Sequence, residues 1–174
     1  MRAGWALLAF AAFCLAFVRG LVATAPFLLY VNVGVVAQAA FAAGVVLFAA
    51  LLALGAGSSW LGARGVVWPF FAFLAALPFG FVSSLLATAS FITFDSSAYL
   101  WYIPAAMFFV VFQLITALYY AKLYKATGVE EFRRAGRYVV IGAFAAALFF
   151  ALLTVAIYGD VLAAKTAFKK ALGK

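Results

Sequence analysis

The chain is poor in charged residues. Only 9% of its 174 residues are Asp, Glu, Lys or Arg, whereas 71% are apolar, and the mean hydropathy is +1.24. Soluble domains carry about 25% charged and about 45–50% apolar residues. In water, a fold of this composition would expose large apolar patches and aggregate. The composition therefore predicts an integral membrane protein, and the length predicts a single domain over residues 1–174.

Histidine is absent and Cys14 is the one cysteine, so the usual metal and redox chemistry has few ligands. A single thiol forms neither an internal disulfide nor a structural zinc site. The four acidic residues all fall at predicted helix ends, where capping and the helix dipole account for them. These residues are Asp95, Glu130, Glu131 and Asp160. We therefore expect no catalytic residue, no metal site and no cofactor.

Long runs without charge predict the membrane crossings. A helix needs about 20 apolar residues to cross about 30 Å of hydrocarbon. Tyr and Trp lie near most of the proposed ends, as in an interfacial aromatic belt. The prediction is an all-α membrane protein, a bundle of about five transmembrane helices. Their approximate bounds are residues 3–25, 33–54, 66–92, 98–121 and 136–158.

The first apolar run has two interpretations. Arg2, the apolar stretch after it and the small residues at 23–25 are similar to a secretory signal. Pro26 directly after that site disfavours cleavage, so an uncleaved first span is the preferred interpretation. Arg19 lies within two turns of the predicted end of this span, and we expect its side chain to snorkel to the interface.

Glycine, serine and proline predict the breaks between spans. Glycine and serine are dense at residues 55–64, which predicts a loop, and Pro78 predicts a kink in the third span. Gly159 and Asp160 are predicted to end the fifth helix or to bend it, with Gly159 as the cap of that helix and Asp160 as the cap of the next. Residues 161–174 then form a short amphipathic helix on the membrane surface.

The stretch at residues 122–137 combines basic residues with a helix start. Thr127 and Glu130 have capping-box spacing, which predicts a helix beginning at Thr127. Glu130 and Glu131 would lie in its first turn, and both can pair with Arg134. The fifth helix would therefore begin in water and enter the membrane near Tyr138.

The net charge of +8 comes from residues at the ends of apolar runs. That position favours lipid headgroups over nucleic acid as the partner. The predicted partners are therefore membrane lipids, with other membrane proteins or self-association as further options and no nucleic acid. The candidate headgroup contacts are Lys122, Lys125, Arg133, Arg134, Arg137, Lys165, Lys169 and Lys170.

Five crossings place seven basic residues on the side of Arg2 and five on the other side. The short, strongly basic loop at 122–137 favours a cytoplasmic amino terminus in a multi-pass protein of the cell membrane. The basic tail after residue 161 would then lie on the opposite side, against this preference.

Three uncharged polar residues fall inside predicted spans: Gln38, Gln113 and Thr116. Hydrogen bonding between helices accounts for them, at about 0.6–2 kcal/mol each. The alternative is a polar patch that lines a pocket. Small residues also recur at helical spacing, as at Gly142 and Ala146, and allow helices to approach closely.

The stretch YYAKLYKATGVEEFRRAGRYVVIGAFAA at residues 119–146 resembles the signature of an archaeal integral-membrane family, domain of unknown function 996. The matching positions are Thr127-Gly128, Phe132, Ala135-Gly136 and Ile141-Gly142. Residues 163–168 are similar to the closing segment of that family, with Lys165 as a departure. The resemblance covers the last third of the chain and implies a small protein with several spans. It implies no activity and no functional residues.

Three functions follow from these features, in order of preference. The first is a non-catalytic membrane subunit or scaffold that acts through contacts with helices and lipids. The second is a small permease or channel for a neutral solute, with Gln38, Pro78 and Gln113 along its path. The third is a membrane enzyme, which would have to draw its reactive groups from the loops.

Overall fold

A computed structural model describes residues 2–28, 33–62, 98–148 and 153–173. These residues form five α-helices and no strand, which confirms the predicted all-α class within those ranges. The helices are α1 (Arg2–Leu28), α2 (Val33–Trp60), α3 (Ala98–Thr127), α4 (Glu130–Leu148) and α5 (Thr154–Ala171). The predicted span at 66–92, with Pro78, and the acidic Asp95 lie outside the described residues.

Two stretches are long and apolar enough to cross a membrane, judged by length and composition over the described residues. They are Arg2–Leu21 in α1 and Phe41–Trp60 in α2. Each overlaps a predicted span, the first that at 3–25 and the second that at 33–54. The predicted crossings at 66–92 and 98–121 stay predictions.

Helix α1 packs against α2 and α5 along its length. Near its start, Gly4 lies against Gly57 and Trp60 at the end of α2. Arg2 reaches Gly173, just beyond the end of α5. Helix α1 is therefore antiparallel to both neighbours, and its first turn lies at the same end of the bundle as their last turns.

The predicted loop at 55–64 is wrong over its first half, because α2 continues as a helix to Trp60. Here glycine serves close packing instead of a turn. A Cβ atom at Gly57 would stand 3.0 Å from the backbone oxygen of Gly4. Ser58 is compatible with the helix because its hydroxyl donates to the carbonyl of Leu54 at 2.7 Å.

The single predicted span at 136–158 is also wrong. Helices α4 and α5 pack side by side in opposite directions. Tyr138 meets Tyr158 edge to face at 5.1 Å, and Gly142, further along α4, contacts Ala156, which comes earlier in α5. Gly159 permits this approach, as a Cβ atom there would lie 2.7 Å from the carbonyl oxygen of Ala135. Gly159 and Asp160 lie inside α5 and cap no helix. Most of the predicted surface tail, 161–174, belongs to α5 and contributes buried residues to the bundle.

The junction of α3 and α4 differs from the predicted capping box. Thr127 is the last residue of α3, and its hydroxyl donates to the carbonyl of Leu123 at 2.7 Å. Gly128 follows in the left-handed conformation, with φ +70°, and its N–H donates to the carbonyl of Tyr124. Helices commonly end with such a residue. Helix α4 therefore begins at Glu130, and the predicted start at Thr127 is wrong.

Glu130 and Glu131 occupy the first turn of α4, where the helix dipole favours acidic side chains. The ion pair that forms differs from the predicted one. Glu130 Oε1 lies 2.7 Å from Arg133 Nη2, three residues along the helix, instead of pairing with Arg134. Both side chains are exposed, so this pair is worth less than about 1 kcal/mol.

The described helices carry apolar side chains both in the buried core and on the outward faces of the bundle. The buried core includes Leu8, Leu15, Leu51, Phe132 and Val139. Large apolar side chains also follow the outward faces of the helices at helical spacing. On α1 these are Phe10, Phe13 and Phe17; on α2 they are Phe41, Val45, Phe48 and Leu52; on α3 they are Ile103, Met107, Val110, Leu114 and Leu118.

Candidate functional site

Arg19 lies in the interior of the bundle with 1% of its surface exposed. The expectation that it snorkels to an interface is therefore wrong. The side chain points from α1 towards α3 and α5, where polar partners bind it. A buried guanidinium keeps its charge, so it needs both a counter-charge and hydrogen-bond acceptors.

Asp160 supplies the counter-charge. It is fully buried, and its Oδ2 accepts a hydrogen bond from Arg19 Nη1 in an ion pair between α5 and α1. Its other oxygen, Oδ1, accepts a hydrogen bond from the hydroxyl of Tyr120 at 2.7 Å. The interpretation of Asp160 as a helix cap is wrong, because the residue is a buried anion between three helices.

Gln113 and Phe112 complete the surroundings of the guanidinium from α3. Gln113 Oε1 accepts a hydrogen bond from Arg19 Nε at 3.0 Å. The ring of Phe112 lies against the guanidinium, with 5.1 Å between Arg19 Cζ and the ring centroid, a cation–π contact. We refer to Arg19, Gln113, Tyr120 and Asp160 together as the Arg19 cluster.

Local helix geometry explains why α3 contributes two members. Gln113 and Tyr120 are seven residues apart, which places both on one face of the helix two turns from each other. That face meets Arg19 from α1 and Asp160 from α5. The cluster thus connects three helices that are far apart in the chain.

Two donors of the cluster are left over. Arg19 Nη2 and Gln113 Nε2 are buried, and neither has a hydrogen-bond partner among the described residues. An unsatisfied buried donor costs about 1–3 kcal/mol, more for a charged group. The cluster therefore leaves two buried N–H groups without an acceptor in the described part of the chain, while its formal charges cancel.

A second polar contact lies beside the cluster. The hydroxyl of Ser58 on α2 lies 2.8 Å from the hydroxyl of Tyr119 on α3. Since Ser58 donates to its own helix, Tyr119 is the donor in this contact. The contact connects α2 to α3.

The three predicted intramembrane polar residues do not form one patch. Gln113 is in the Arg19 cluster. Thr116 is buried, but its hydroxyl donates to the carbonyl of Phe112 in its own helix at 2.8 Å. Gln38 is exposed on α2. A path that combines Gln38 with Gln113 therefore has no support in their positions.

Apart from the buried Arg19, the described basic residues gather at one end of the bundle. Residues 127–131, at the junction of α3 and α4, line a groove together with Lys165, Lys169 and Lys170 of α5. The ring of Trp5, near the start of α1, stacks on Phe132 at the same end. The prediction that the tail lysines and the 122–137 stretch lie on opposite sides is wrong, because α4 and α5 form an antiparallel pair.

Comparison with protein-family models, with curated proteins and with solved structures finds no match. Within the described ranges, no group of three His, Cys, Asp or Glu side chains could hold a metal ion.

The sequence did contain a signal for the cluster. Arg19 lies between two long uncharged stretches and Asp160 directly follows another, and an ionisable residue within a membrane segment is a functional-site hypothesis by default. Each charge also has a local explanation, Arg19 as a snorkelling residue and Asp160 as a helix cap. Neither explanation predicts that the two residues pair. Tyr120 carried no such signal, since it fits an interfacial aromatic position equally well.

Proposed function

We propose that the chain is a multi-pass membrane protein that acts as a non-catalytic subunit or scaffold through its contacts with helices and lipids. The observation that carries the proposal is the rows of large apolar side chains on the outward faces of α1, α2 and α3. Monomers in water rarely expose contiguous apolar patches beyond a few hundred Å². Lipid tails and apolar partner helices are the surroundings that these faces suit.

The burial of the charged pair supports the same role. In a bilayer, charged side chains face the interior of a bundle and pair with one another. Arg19 and Asp160 follow this rule, whereas the rows of large apolar side chains on α1, α2 and α3 face outward. The bundle would thereby present apolar surface to lipid and to partner helices while its own charges stay neutralised.

We propose that the basic end of the bundle is cytoplasmic. Basic residues near membrane helices favour the cytoplasmic side. Those near this end include Arg2, the residues around the α3–α4 junction and the lysines of α5. The proposed headgroup contacts there are the eight predicted ones: Lys122, Lys125, Arg133, Arg134, Arg137, Lys165, Lys169 and Lys170.

Cysteine labelling tests the membrane placement and its direction. In a Cys14→Ala background, Arg134→Cys, Lys169→Cys and Thr154→Cys are labelled with a membrane-impermeant maleimide in intact cells and in inverted vesicles. We expect Arg134→Cys and Lys169→Cys to react only from the cytoplasmic side and Thr154→Cys only from the opposite side. Arg134→Cys and Lys169→Cys reacting from opposite sides would contradict the proposal.

The subunit role has its own test, native mass spectrometry after extraction in mild detergent. We expect the chain to carry a stoichiometric protein partner, a second copy or bound lipid. A bare monomer under conditions that preserve a known membrane complex in the same extract would contradict the role. The labelling result is independent of this outcome.

A small permease or channel for a neutral solute is the second candidate function. The observation that favours it is the pair of unsatisfied buried donors at Arg19 and Gln113, which could bind a passing polar group. Proteoliposome swelling in glycerol and in urea tests this function. Equal rates in liposomes with and without the protein would reject it.

A further inference from the structure

The Arg19 cluster contains two neighbouring donors that its own acceptors do not satisfy. Arg19 Nη2 and Gln113 Nε2 are buried N–H donors without an acceptor among the described residues. They belong to groups that already bond each other, because Arg19 Nε donates to Gln113 Oε1 at 3.0 Å. More than about 90% of buried polar groups in proteins are satisfied. Two neighbouring exceptions indicate that an acceptor belongs there.

The charges of the cluster decide which acceptor fits. The guanidinium of Arg19 is balanced by the carboxylate of Asp160, and Gln113 and Tyr120 add no charge. An added anion would leave a net negative charge in a medium of low dielectric constant, which is costly. A neutral oxygen accepts hydrogen bonds without that cost.

The surroundings of the guanidinium decide the direction of approach. The ring of Phe112 lies against the guanidinium, and Nη1 and Nε are already bonded to Asp160 and Gln113. The N–H groups of a guanidinium point outward in its plane. The remaining direction is therefore along the edge that carries Nη2, beside the amide of Gln113.

We propose that the Arg19 cluster binds a neutral oxygen acceptor that receives hydrogen bonds from both Arg19 Nη2 and Gln113 Nε2. The oxygen belongs either to a buried water molecule or to a carbonyl or hydroxyl group of a small neutral solute. This site extends the second candidate function by naming the chemistry of its ligand, but binding does not require transport.

Acetamide and acetate are suitable probes because they are nearly equal in size and differ in charge. The full-length protein, labelled with ¹⁵N at arginine and glutamine and held in nanodiscs, is titrated with each probe while NMR signals of the Arg19 and Gln113 side chains are followed. Cross-peaks between these N–H groups and water are recorded without a probe. Saturable shifts with acetamide, and none with acetate, are expected if the oxygen comes from a solute.

Substitutions at Gln113 provide the control for location. Gln113→Glu keeps an acceptor for Arg19 and removes the amide donor, whereas Gln113→Met removes both. We expect each to weaken acetamide binding by about tenfold or more, since one hydrogen bond to the ligand is lost. The matched control is Thr116→Val, one turn along α3, because the hydroxyl of Thr116 bonds only within its own helix. It should leave binding unchanged.

Each outcome decides the proposal. Water cross-peaks to both N–H groups identify water as the acceptor, and saturable acetamide shifts identify a solute; both results support the site. If acetate binds as tightly as acetamide, the site does not select neutral ligands and the proposal is overturned. Donors that show neither water contact nor response to a probe overturn the site, since an oxygen of the chain itself would then satisfy them. Swelling assays and cysteine labelling do not depend on these results, so a failed site is distinguishable from a failed function.

Discussion

At the scale of single residues, the Arg19–Asp160 pair places two opposite charges in the interior of the bundle. Desolvating two charges costs several kcal/mol each, and their attraction repays this only with good geometry and additional hydrogen bonds. Tyr120 and Gln113 provide those bonds from α3. We therefore expect the pair to determine which faces of α1, α3 and α5 meet, and to add little net stability compared with apolar residues of similar volume.

Removing one charge of the pair should be costly. We expect Asp160→Asn to lower the free energy of unfolding by about 3–5 kcal/mol, because Arg19 is left buried without a counter-charge. Unfolding in mixed micelles with increasing denaturing detergent measures the change. Glu130→Gln, which removes an exposed ion pair, is the matched control and should change stability by less than about 1 kcal/mol.

Removing both charges should be far milder. We expect the Arg19→Met and Asp160→Leu double variant to regain most of the stability lost in Asp160→Asn, since apolar residues of similar volume often replace a buried pair without loss. The same unfolding assay provides the comparison. A double variant less stable than Asp160→Asn would show that the pair is itself stabilising.

At the scale of helices, glycine permits the close approaches on which the bundle depends. Gly57 lies against Gly4 between α1 and α2, and Gly142 lies against Ala156 between α4 and α5. From sequence, the glycines at 55–57 indicated a loop and Gly159 a helix end. Both inferences failed because a glycine within an apolar helix equally indicates a contact with another backbone. Which meaning applies depends on a partner helix that the local sequence does not contain.

Glycines that contact another helix and glycines that have no such contact should respond differently to substitution by alanine. A Cβ atom at Gly142 would stand 2.7 Å from Cβ of Ala156, so we expect Gly142→Ala to destabilise the protein by about 1–3 kcal/mol. Gly20 on α1 has nothing within 4 Å of that position, so Gly20→Ala should be neutral or stabilising by up to about 1 kcal/mol. Thermal unfolding in detergent compares them. Equal loss in both variants would contradict the close packing of α4 on α5.

At the scale of the whole molecule, the described helices bring distant basic residues to one end. The positive charges of α5 lie beside the α3–α4 junction because α5 runs back along α4. If the chain crossed the membrane five times, its basic residues would divide almost evenly between the two sides. Because α4 and α5 are antiparallel, the basic tail lies at the same end of the bundle as the other basic residues. The tail therefore no longer argues against a cytoplasmic amino terminus.

This basic end should hold anionic lipid. We expect replacement of Lys165, Lys169 and Lys170 by Gln to reduce retention of phosphatidylglycerol in native mass spectra by severalfold, since each basic residue near an anionic surface contributes about 1 kcal/mol. Phosphatidylcholine retention should not change. A matched triple substitution of apolar residues on α2, Val45, Phe48 and Leu52 to Ala, keeps the charge and should keep the preference for anionic lipid. Unchanged phosphatidylglycerol retention in the lysine variant would contradict a headgroup site there.

The sequence by itself determined the helical class and the ranges of α1 and most of α2 and α3, because composition and the lengths of uncharged runs are local properties. Tertiary structure alone decided that α4 and α5 form an antiparallel pair, that Arg19 is buried, and that it meets Asp160 across 141 positions of the chain. The physical reason is that a charge or a glycine in an apolar helix has several local explanations. Only the packing of another helix against it selects one.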